Sequence, residues 1–484
     1  MTFSLHGDVK EISIPTTSSI MDALQSIDQG AIGLSLLVDE KSSKFCGLVT
    51  DGDIRRALLS GFGLNSPINS IPRPDTISIS IAASTEEISK LFSDKIRCIP
   101  ILNDERQVTD LALYDKRVRL PVAEPSLKGN ELQYVSECVL TGWVSSAGRF
   151  VNQFEEMFAE YCGSKYAIAT SNGTTALHLA LLACDIGPGD EVIVPTLTFI
   201  ATANAVTYTG AKPVFIDSEQ ETWNMDANLI SNLLNSKTKA IIPVHLYGHP
   251  TDMDPVLDIA RRKGLKVIED AAEAHGATYK GNRVGGIGDL GIFSFYGNKI
   301  ITTGEGGMVV TNNKDYANKI RMLRDHGMST KKRYWHPYIG YNYRMTNLQA
   351  ALGVAQMERV DSIVDKKHKI AKAYSDGLKD IQGINLPPDA NWAENIFWMY
   401  SILINQEEFG RTRDQVIDIL KEKLVDSRPF FTPIHNQPIY KLNKSFPIAE
   451  SLSLRGINLP SAVTLTISDI DYIISTIKQI SIDS

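Results

Sequence analysis

Cysteine is scarce in this chain. Cys46, Cys98, Cys138, Cys162 and Cys184 are scattered over 484 residues, and no two stand in C-x-x-C spacing. That excludes a dense disulfide framework and a zinc site built on cysteine pairs, and it points to a reducing compartment. No apolar run reaches the roughly 18 residues that suggest a membrane span. The opening MTFSLHGDVKEISIP has no basic stretch followed by an apolar one, so it does not read as a secretion signal. A cytoplasmic protein is expected. Basic excess is also missing: Lys and Arg total 49 against 56 Asp and Glu, a formal net charge of −7. Such a balance offers no footprint for nucleic acid or for an anionic membrane. No G-x-x-x-x-G-K-[ST] phosphate loop occurs, and no metal site is expected. The single G-x-G-x-x-G match, Gly286 to Gly291, follows a polar stretch and precedes the apolar run Ile292 to Phe295. A dinucleotide fingerprint needs the reverse order, so a turn is expected there.

What remains is an ordinary globular balance, 43% hydrophobic and 22% charged, long enough for two or three domains. Two textures divide the chain. Residues 1–118 carry short elements rich in Ser, Thr and Ile. From residue 119 the elements lengthen, with Pro121 and Pro125 bracketing the junction.

The front region reads as a duplication. A helix begins near Ser19, followed by the apolar strand Leu34 to Val38 and by Gly47 to Arg56, a strand running into a helix. The second half repeats that order with a helix at Ser84 to Phe92, a strand at Cys98 to Leu102, and Val108-Thr109-Asp110. Half-repeats of this kind bury a shared core. The pattern resembles a pair of CBS domains over residues 1–118. The resemblance implies that Thr50 and Asp53, three residues apart, hold a nucleotide ribose, making a regulatory nucleotide a candidate partner. The second copy keeps Thr109 but has Ala112, so its site is expected to be lost. A module that serves only assembly or stability fits the same residues.

Beyond residue 118, strands and helices alternate: a strand at Tyr166 to Thr170, a helix at Thr174 to Ala183, and a strand at Glu191 to Pro195. They continue with a strand at Lys239 to His245, a helix at Asp254 to Arg262 and a strand at Leu265 to Asp270. This alternation predicts an α/β fold, a mostly parallel sheet covered by helices. Asn347 to Leu378 reads as one long charged helix, and the rest as a smaller strand-and-helix domain.

Three segments carry chemistry. Ser171-Asn172-Gly173-Thr174 ends a strand and opens a helix. Free N–H groups at a helix start, with a glycine for close approach, can cradle a phosphate; a plain capped helix would look the same. Glu269-Asp270-Ala271-Ala272-Glu273 closes an apolar strand, where ligands of open α/β sheets sit. Alternation sends Glu269 and Asp270 to opposite faces. Asp270 can keep a pyridinium nitrogen protonated or simply cap a helix, and Glu269 and Glu273 can be solvated turn residues. In Ser294 to Gly307, Lys299 has apolar neighbours and a glycine-rich turn after it. Partial burial would lower its pKa and free the amine for attack on an aldehyde.

In this order and spacing, residues 119–484 resemble the DegT-type sugar-nucleotide aminotransferases, fold-type-I enzymes that use pyridoxal 5'-phosphate. The resemblance implies a large domain at about 119–365 and a small one at about 366–484. The runs Ile241 to Pro250, Ser294 to Gly307 and Arg333 to Pro337 are most similar to the perosamine-forming branch, which acts on GDP-4-keto-6-deoxymannose in polysaccharide and O-antigen synthesis. By resemblance, Lys299 is the catalytic lysine and covalent anchor, and Asp270 pairs with the ring nitrogen. Glu273 stands where a residue, often Gln, meets the ring hydroxyl. Phe199 stacks on the ring, and Gly173, Thr174 and Ser294 hold the phosphate. Asn342 matches a residue that reaches the neighbouring subunit's phosphate, implying a homodimer. Arg428 and His435, and less directly Trp143, Ser145 and His336, stand where substrate is met. Glutamate is the implied amino donor.

Three rivals stay open. A related dehydratase carries His where this chain has Lys299. A 3-keto sugar, or another carrier nucleotide, could be the acceptor. A nucleotide sensor on an inactive scaffold would lack the intact Lys299, Asp270 and Ser294 seen here.

Overall fold

In a computed structural model, which describes residues 3–5, 9–30, 32–93, 96–114 and 120–482, the chain divides into two compact units, Met1–Leu120 and Pro121–Ser484. Strands are numbered in chain order. The first unit holds β1 (Phe3–Leu5), β2 (Ser13–Pro15), β3 (Leu34–Val38), β4 (Phe45–Thr50), β5 (Ile79–Ser80), β6 (Cys98–Leu102) and β7 (Val108–Tyr114). They form two sheets, β2-β3-β4 and β1-β7-β6-β5.

The duplication is present in the backbone. In each half a short strand pairs parallel with the next, which pairs antiparallel with a third. Both hairpins carry a register shift at the matching place, between Leu37 and Val38 and between Ile101 and Leu102. Each half opens its first helix with a polar cap, Ser19 against Asp22 and Ser84 against Glu87. The halves share a core: Ile12, Leu34, Leu36 and Phe45 of the first meet Leu102 and Leu111 of the second. β3 can serve it because Leu34 and Leu36 face one way and Leu37 the other, into the cluster of Ile20, Ala23 and Ile54.

Register corrects the expected second nucleotide site. Thr50 pairs with Leu34, and the matching pair in the second half is Leu113 with Cys98. The counterpart of Thr50 is therefore Leu113, whereas Thr109 lies at the bulge, beside Val108, which pairs with Leu102. The position three residues past Leu113 lies outside the described residues.

The second unit is built on β8 (Tyr166–Thr170), β9 (Glu191–Pro195), β10 (Lys212–Ile216), β11 (Thr238–Ile241), β12 (Lys266–Asp270), β13 (Leu290–Ser294) and β14 (Gly307–Thr311). Their order is β10-β9-β11-β12-β13-β14-β8. Only β14 runs against the others, so the carboxyl ends of the remaining strands gather at one edge. Helices cover the sheet, and its core holds Phe154, Phe158, Phe293 and Phe295. A four-stranded antiparallel sheet around Tyr400–Ile404 and Gly456–Leu459 follows.

Three expected elements differ. Asn347 to Leu378 is two helices, Asn347–Met357 and Val360–Leu378, because Arg359 leaves helical geometry with ψ near 4°. The strand expected at Lys239 to His245 stops at Ile241. Val244 returns to a single bridge with Asp270. The glycine stretch is a turn only up to Asp289, and Leu290 and Gly291 already belong to β13.

Glu269 is not a solvated turn residue. It is fully buried, and its carboxylate accepts from the N–H groups of Gly285 (2.7 Å), Ile287 (2.7 Å) and Gly288 (2.6 Å). His245 Nε2 lies 3.1 Å away. One carboxylate thus satisfies the turn that delivers β13 to its place beside β12. Glu269→Ala should destabilise the protein by about 3 kcal/mol or more, because three buried N–H groups lose their acceptor. Urea denaturation of the variant measures this, and a loss below about 1 kcal/mol would deny Glu269 that role.

Candidate functional site

The next residue, Asp270, points the opposite way, into a cavity of about 540 Å3. The cavity lies where β9, β12 and β13 end, as expected for an open α/β sheet. Its walls include Gly173, Thr174, Phe199, Asp270, Glu273, Ser294 and Lys299. Segments more than 120 residues apart in sequence therefore converge on one space.

Each group is held by a local device. Helix Gly173–Ala183 starts behind a capping box, in which Asn172 Oδ1 accepts from Thr175 N at 2.9 Å. A Cβ on Gly173 would stand 2.8 Å from Ser294 Cβ, so only glycine lets the helix start meet Ser294. Asp270 Oδ2 accepts from Thr202 Oγ1 at 2.8 Å and Oδ1 from Ala272 N at 3.2 Å. Burial nonetheless raises the Asp270 pKa, against these bonds and the charge of Lys299.

Lys299 is the least solvated cation facing the cavity. Its Nζ stands 3.8 Å from Glu273 Oε1 and 3.7 Å from the ring centroid of Trp398. Burial pushes the amine's pKa down, and Glu273 and Asp270 oppose it. Glu273 takes a hydrogen bond from Tyr247 N at 2.8 Å. Burial lifts its carboxyl to about 7, with Lys299 and Tyr247 pulling the other way. Tyr247 adopts a left-handed backbone, φ 53°, which is costly for an aromatic residue. That conformation aims its N–H at Glu273, while its hydroxyl accepts from Phe431 N at 3.0 Å.

Phe199 is half exposed at the cavity mouth, 5.8 Å from the Phe431 ring. Asn342, Trp143, Ser145 and His336 lie outside the cavity wall and are exposed. Asn347 ties down the Trp143 segment through the carbonyls of Trp143 (2.7 Å) and Ser145 (2.6 Å). The Arg428 side chain is mostly exposed and pairs with Asp426 at 3.0 Å.

His435 is the clear departure from expectation. It is fully buried, with Nδ1 2.7 Å from Thr196 Oγ1 and Nε2 3.0 Å from Glu450 Oε1. Both ring nitrogens are used inside the fold, leaving none for substrate. Because His435 N donates to Thr196 Oγ1 at 3.3 Å, that hydroxyl is free to donate to Nδ1. Nε2 then carries the proton toward Glu450. The chain of bonds joins helix Pro447–Arg455 to the segment leading to Phe199.

Sequence reasoning missed Thr202, Tyr247 and Trp398. Thr202 lies one helical turn past Phe199, so its spacing was readable. Nothing near Tyr247 or Trp398 in sequence points to Lys299.

In the first unit, Thr50 and Asp53 form a helix cap. Asp53 Oδ2 accepts from Thr50 N (2.9 Å) and Oγ1 (2.7 Å), Asp53 N donates back at 3.2 Å, and Arg56 takes the other oxygen. Among the described residues, no group of three or more metal-ligating side chains is gathered, and no helix is long and apolar enough to cross a membrane.

The raised Glu273 pKa has a thermodynamic sign. A carboxyl that ionises near 7 when folded and near 4.5 when unfolded contributes stability below about 4.5 that is lost as pH rises through 7. Without cofactor, Glu273→Gln should therefore gain stability relative to the parent between pH 5 and 8, by up to roughly 3 kcal/mol. Urea midpoints across that range measure it; parallel curves would contradict the assignment.

The sequence pattern of the DegT/DnrJ/EryC1/StrS aminotransferase family matches residues 125–478, and that of the CBS domain matches residues 7–60. A GDP-perosamine synthase of Caulobacter vibrioides is 52% identical over 365 residues, 75% of this chain and 98% of that protein. A GDP-perosamine synthase of Escherichia coli O157:H7 is 47% identical over 361 residues, 74% of this chain and 98% of that protein. Among solved structures, an aminotransferase from Psychrobacter cryohalolentis superposes with a TM-score of 0.71 at 34% identity. It covers 74% of this chain and 98% of its own. A Streptococcus pneumoniae protein described as a sugar aminotransferase, in its PLP form, gives 0.71 at 28% identity, covering 75% and 99%. The chain belongs to the DegT/DnrJ/EryC1/StrS aminotransferase family, pyridoxal-phosphate enzymes of the fold-type-I architecture, and carries a CBS domain at its amino end.

Proposed function

We propose that this protein transfers the amino group of glutamate to GDP-4-keto-6-deoxymannose, giving GDP-perosamine for a surface polysaccharide such as an O-antigen, in the cytoplasm. The observation that carries this reading is the 52% identity to the Caulobacter synthase across 98% of that protein's length.

The donor set fits pyridoxal phosphate. The start of helix Gly173–Ala183, bare of a side chain at Gly173 and adjoining Ser294, suits a phosphate. A buried carboxylate, Asp270, suits a ring nitrogen, and the half-exposed Phe199 suits a flat aromatic face. When bound, the group supplies an electron sink for the carbon that loses its proton. Lys299 Nζ would take the proton from the α-carbon of glutamate in the first half-reaction and, in a separate second half-reaction, give a proton to the sugar's C4 as the amino group arrives there. The Asp270 carboxylate would hold positive charge at the ring nitrogen, and Glu273 would meet the ring hydroxyl.

The rest of the site comes from a second copy. Asn342, Trp143, Ser145 and His336 are exposed on one protomer, where a homodimer would bring them to the partner's cavity. Large apolar side chains are bare around them: Trp143 is 60%, Trp335 57% and Ile339 91% exposed. Such a surface favours association. Arg428, charged and exposed, would meet the nucleotide's phosphates.

The test is spectroscopic. Enzyme converted to its amine form by glutamate, then freed of donor and keto acid, is mixed with GDP-4-keto-6-deoxymannose. Visible absorbance of the aldehyde form should return in the parent and not in Lys299→Ala. Enzyme that 2-oxoglutarate restores but this sugar does not would reject the acceptor.

A regulatory nucleotide at Thr50 and Asp53 is the second element of the proposal. The ribose would have to compete with the helix cap for the Asp53 carboxylate. Calorimetric titration with adenine and guanine nucleotides should show binding that Asp53→Asn weakens at least tenfold. Absence of heat with all of them would leave the module a structural one.

A further inference from the structure

The space around Lys299 contains one large group that the proposed chemistry does not use. Trp398 lies just before the strand Tyr400–Ile404, 99 positions from the lysine in sequence, and Nζ stands over its ring, 3.7 Å from the centroid. Three attachments hold the indole there. Its Nε1–H donates to the carbonyl of Asn298, the residue before Lys299, at 2.8 Å. Its own carbonyl accepts from Lys367 Nζ at 2.8 Å, and that buried ammonium also reaches the carbonyl of Ser461 at 2.6 Å. The Tyr247 ring runs nearly parallel to it, 21° apart in plane at 6.4 Å. The preceding residue, Phe397, has φ 47°, a backbone that an aromatic residue adopts only when its surroundings enforce it.

A transaminase lysine must be released from the cofactor in every cycle, and the Lys299 side chain is largely buried. The Glu273 carboxylate is 3.8 Å away, beyond hydrogen-bond length, and one of its oxygens is already occupied by Tyr247 N. An aromatic face attracts an ammonium without accepting its proton. It can hold the charge and still let the amine swing back.

We propose that Trp398 is a catalytic residue, whose indole face seats the Lys299 ammonium whenever that amine is not covalently engaged. The assignment rests on the reading of Lys299 as the covalent anchor. It explains why the ring is fixed to Asn298 and the residue's backbone carbonyl, through Lys367, to Ser461. The seat keeps its height relative to the lysine's own backbone. It also adds a third influence on the lysine's protonation. Burial lowers the pKa, and Glu273 and Asp270 raise it. Buried His275 is near enough to feel the charge of the same amine, and Lys367 Nζ reaches the Trp398 carbonyl. The Trp398 face belongs with the carboxylates, favouring the charged form.

The test uses the full-length protein freed of cofactor. Its rate of pyridoxal phosphate capture is followed by visible absorbance as a function of pH, since only the neutral amine attacks the aldehyde. All five tryptophans are replaced by progressively fluorinated tryptophan, which weakens the ring's negative face with little change of shape. None of the other four lines its own protomer's cavity, and the same series run in Trp143→Phe separates any effect of Trp143, which a homodimer would bring to the partner's cavity. The midpoint of the pH profile should move down step by step, by roughly one unit at full effect, which is about tenfold faster capture on the acidic limb. Trp398→Leu should reproduce the full shift and Trp398→Phe only part of it. A midpoint unmoved across the fluorinated series would overturn the proposal, whether or not the Leu variant folds. A parent protein that captures the aldehyde no better than Lys299→Ala would instead overturn the anchor reading, and this inference with it.

Discussion

A lysine amine kept from water beside two buried carboxylates is costly to fold. The arrangement persists because each member is compensated in a different way. Asp270 has the Thr202 hydroxyl and a backbone N–H. Glu273 has the N–H of a strained Tyr247. Lys299 has partial charge from both carboxylates and the face of Trp398. Apart from the Ala272 N–H on Asp270, these compensations come from far along the chain, so they exist only once distant segments of the second unit have come together. The cofactor then inherits a site whose charges are already in place, which is how electrostatic preorganisation lowers a barrier.

The sheet makes this possible through one alternation at the end of β12. Glu269 turns inward and closes the loop that starts β13, while Asp270 turns out to the cavity. A single dipeptide therefore sets both the position of the strand that carries Ser294 and the carboxylate that faces the cavity. On the other side of the cavity, His435 plays a comparable part. It links Glu450 to Thr196 and so fixes the entrance to the Phe199 segment.

Much of this was legible in the sequence, for reasons that can be named. Hydrophobic runs ending in Gly, Asp or Ser mark strand ends, so the segments around Gly173, Asp270 and Lys299 stood out, and the alternation rule correctly separated Glu269 from Asp270. The duplicated front unit was visible for the same reason, as a repeated order of helix and strands. What failed did so where three-dimensional register decides. Thr109 matches Thr50 letter by letter, yet the shared bulge makes Leu113 its true counterpart. Lys239 to His245 is apolar enough to continue as a strand, but the chain leaves the sheet after Ile241. His435 sits in a motif that suggested substrate, and only the distances to Thr196 and Glu450 show its ring to be spent. Trp398 could not be found at all, because one indole leading into an apolar strand looks like core until its neighbour is known.

The central claim is that Lys299, among the lysines of this chain, carries the cofactor. Lys367 is the natural control: it too is buried, and burial pushes its amine down to about 7, so it is also chemically competent. Holoenzyme reduced with borohydride and digested should give a single pyridoxyl-bearing peptide, identified by mass, with the label on Lys299. A label on Lys367, or spread over surface lysines, would contradict the account.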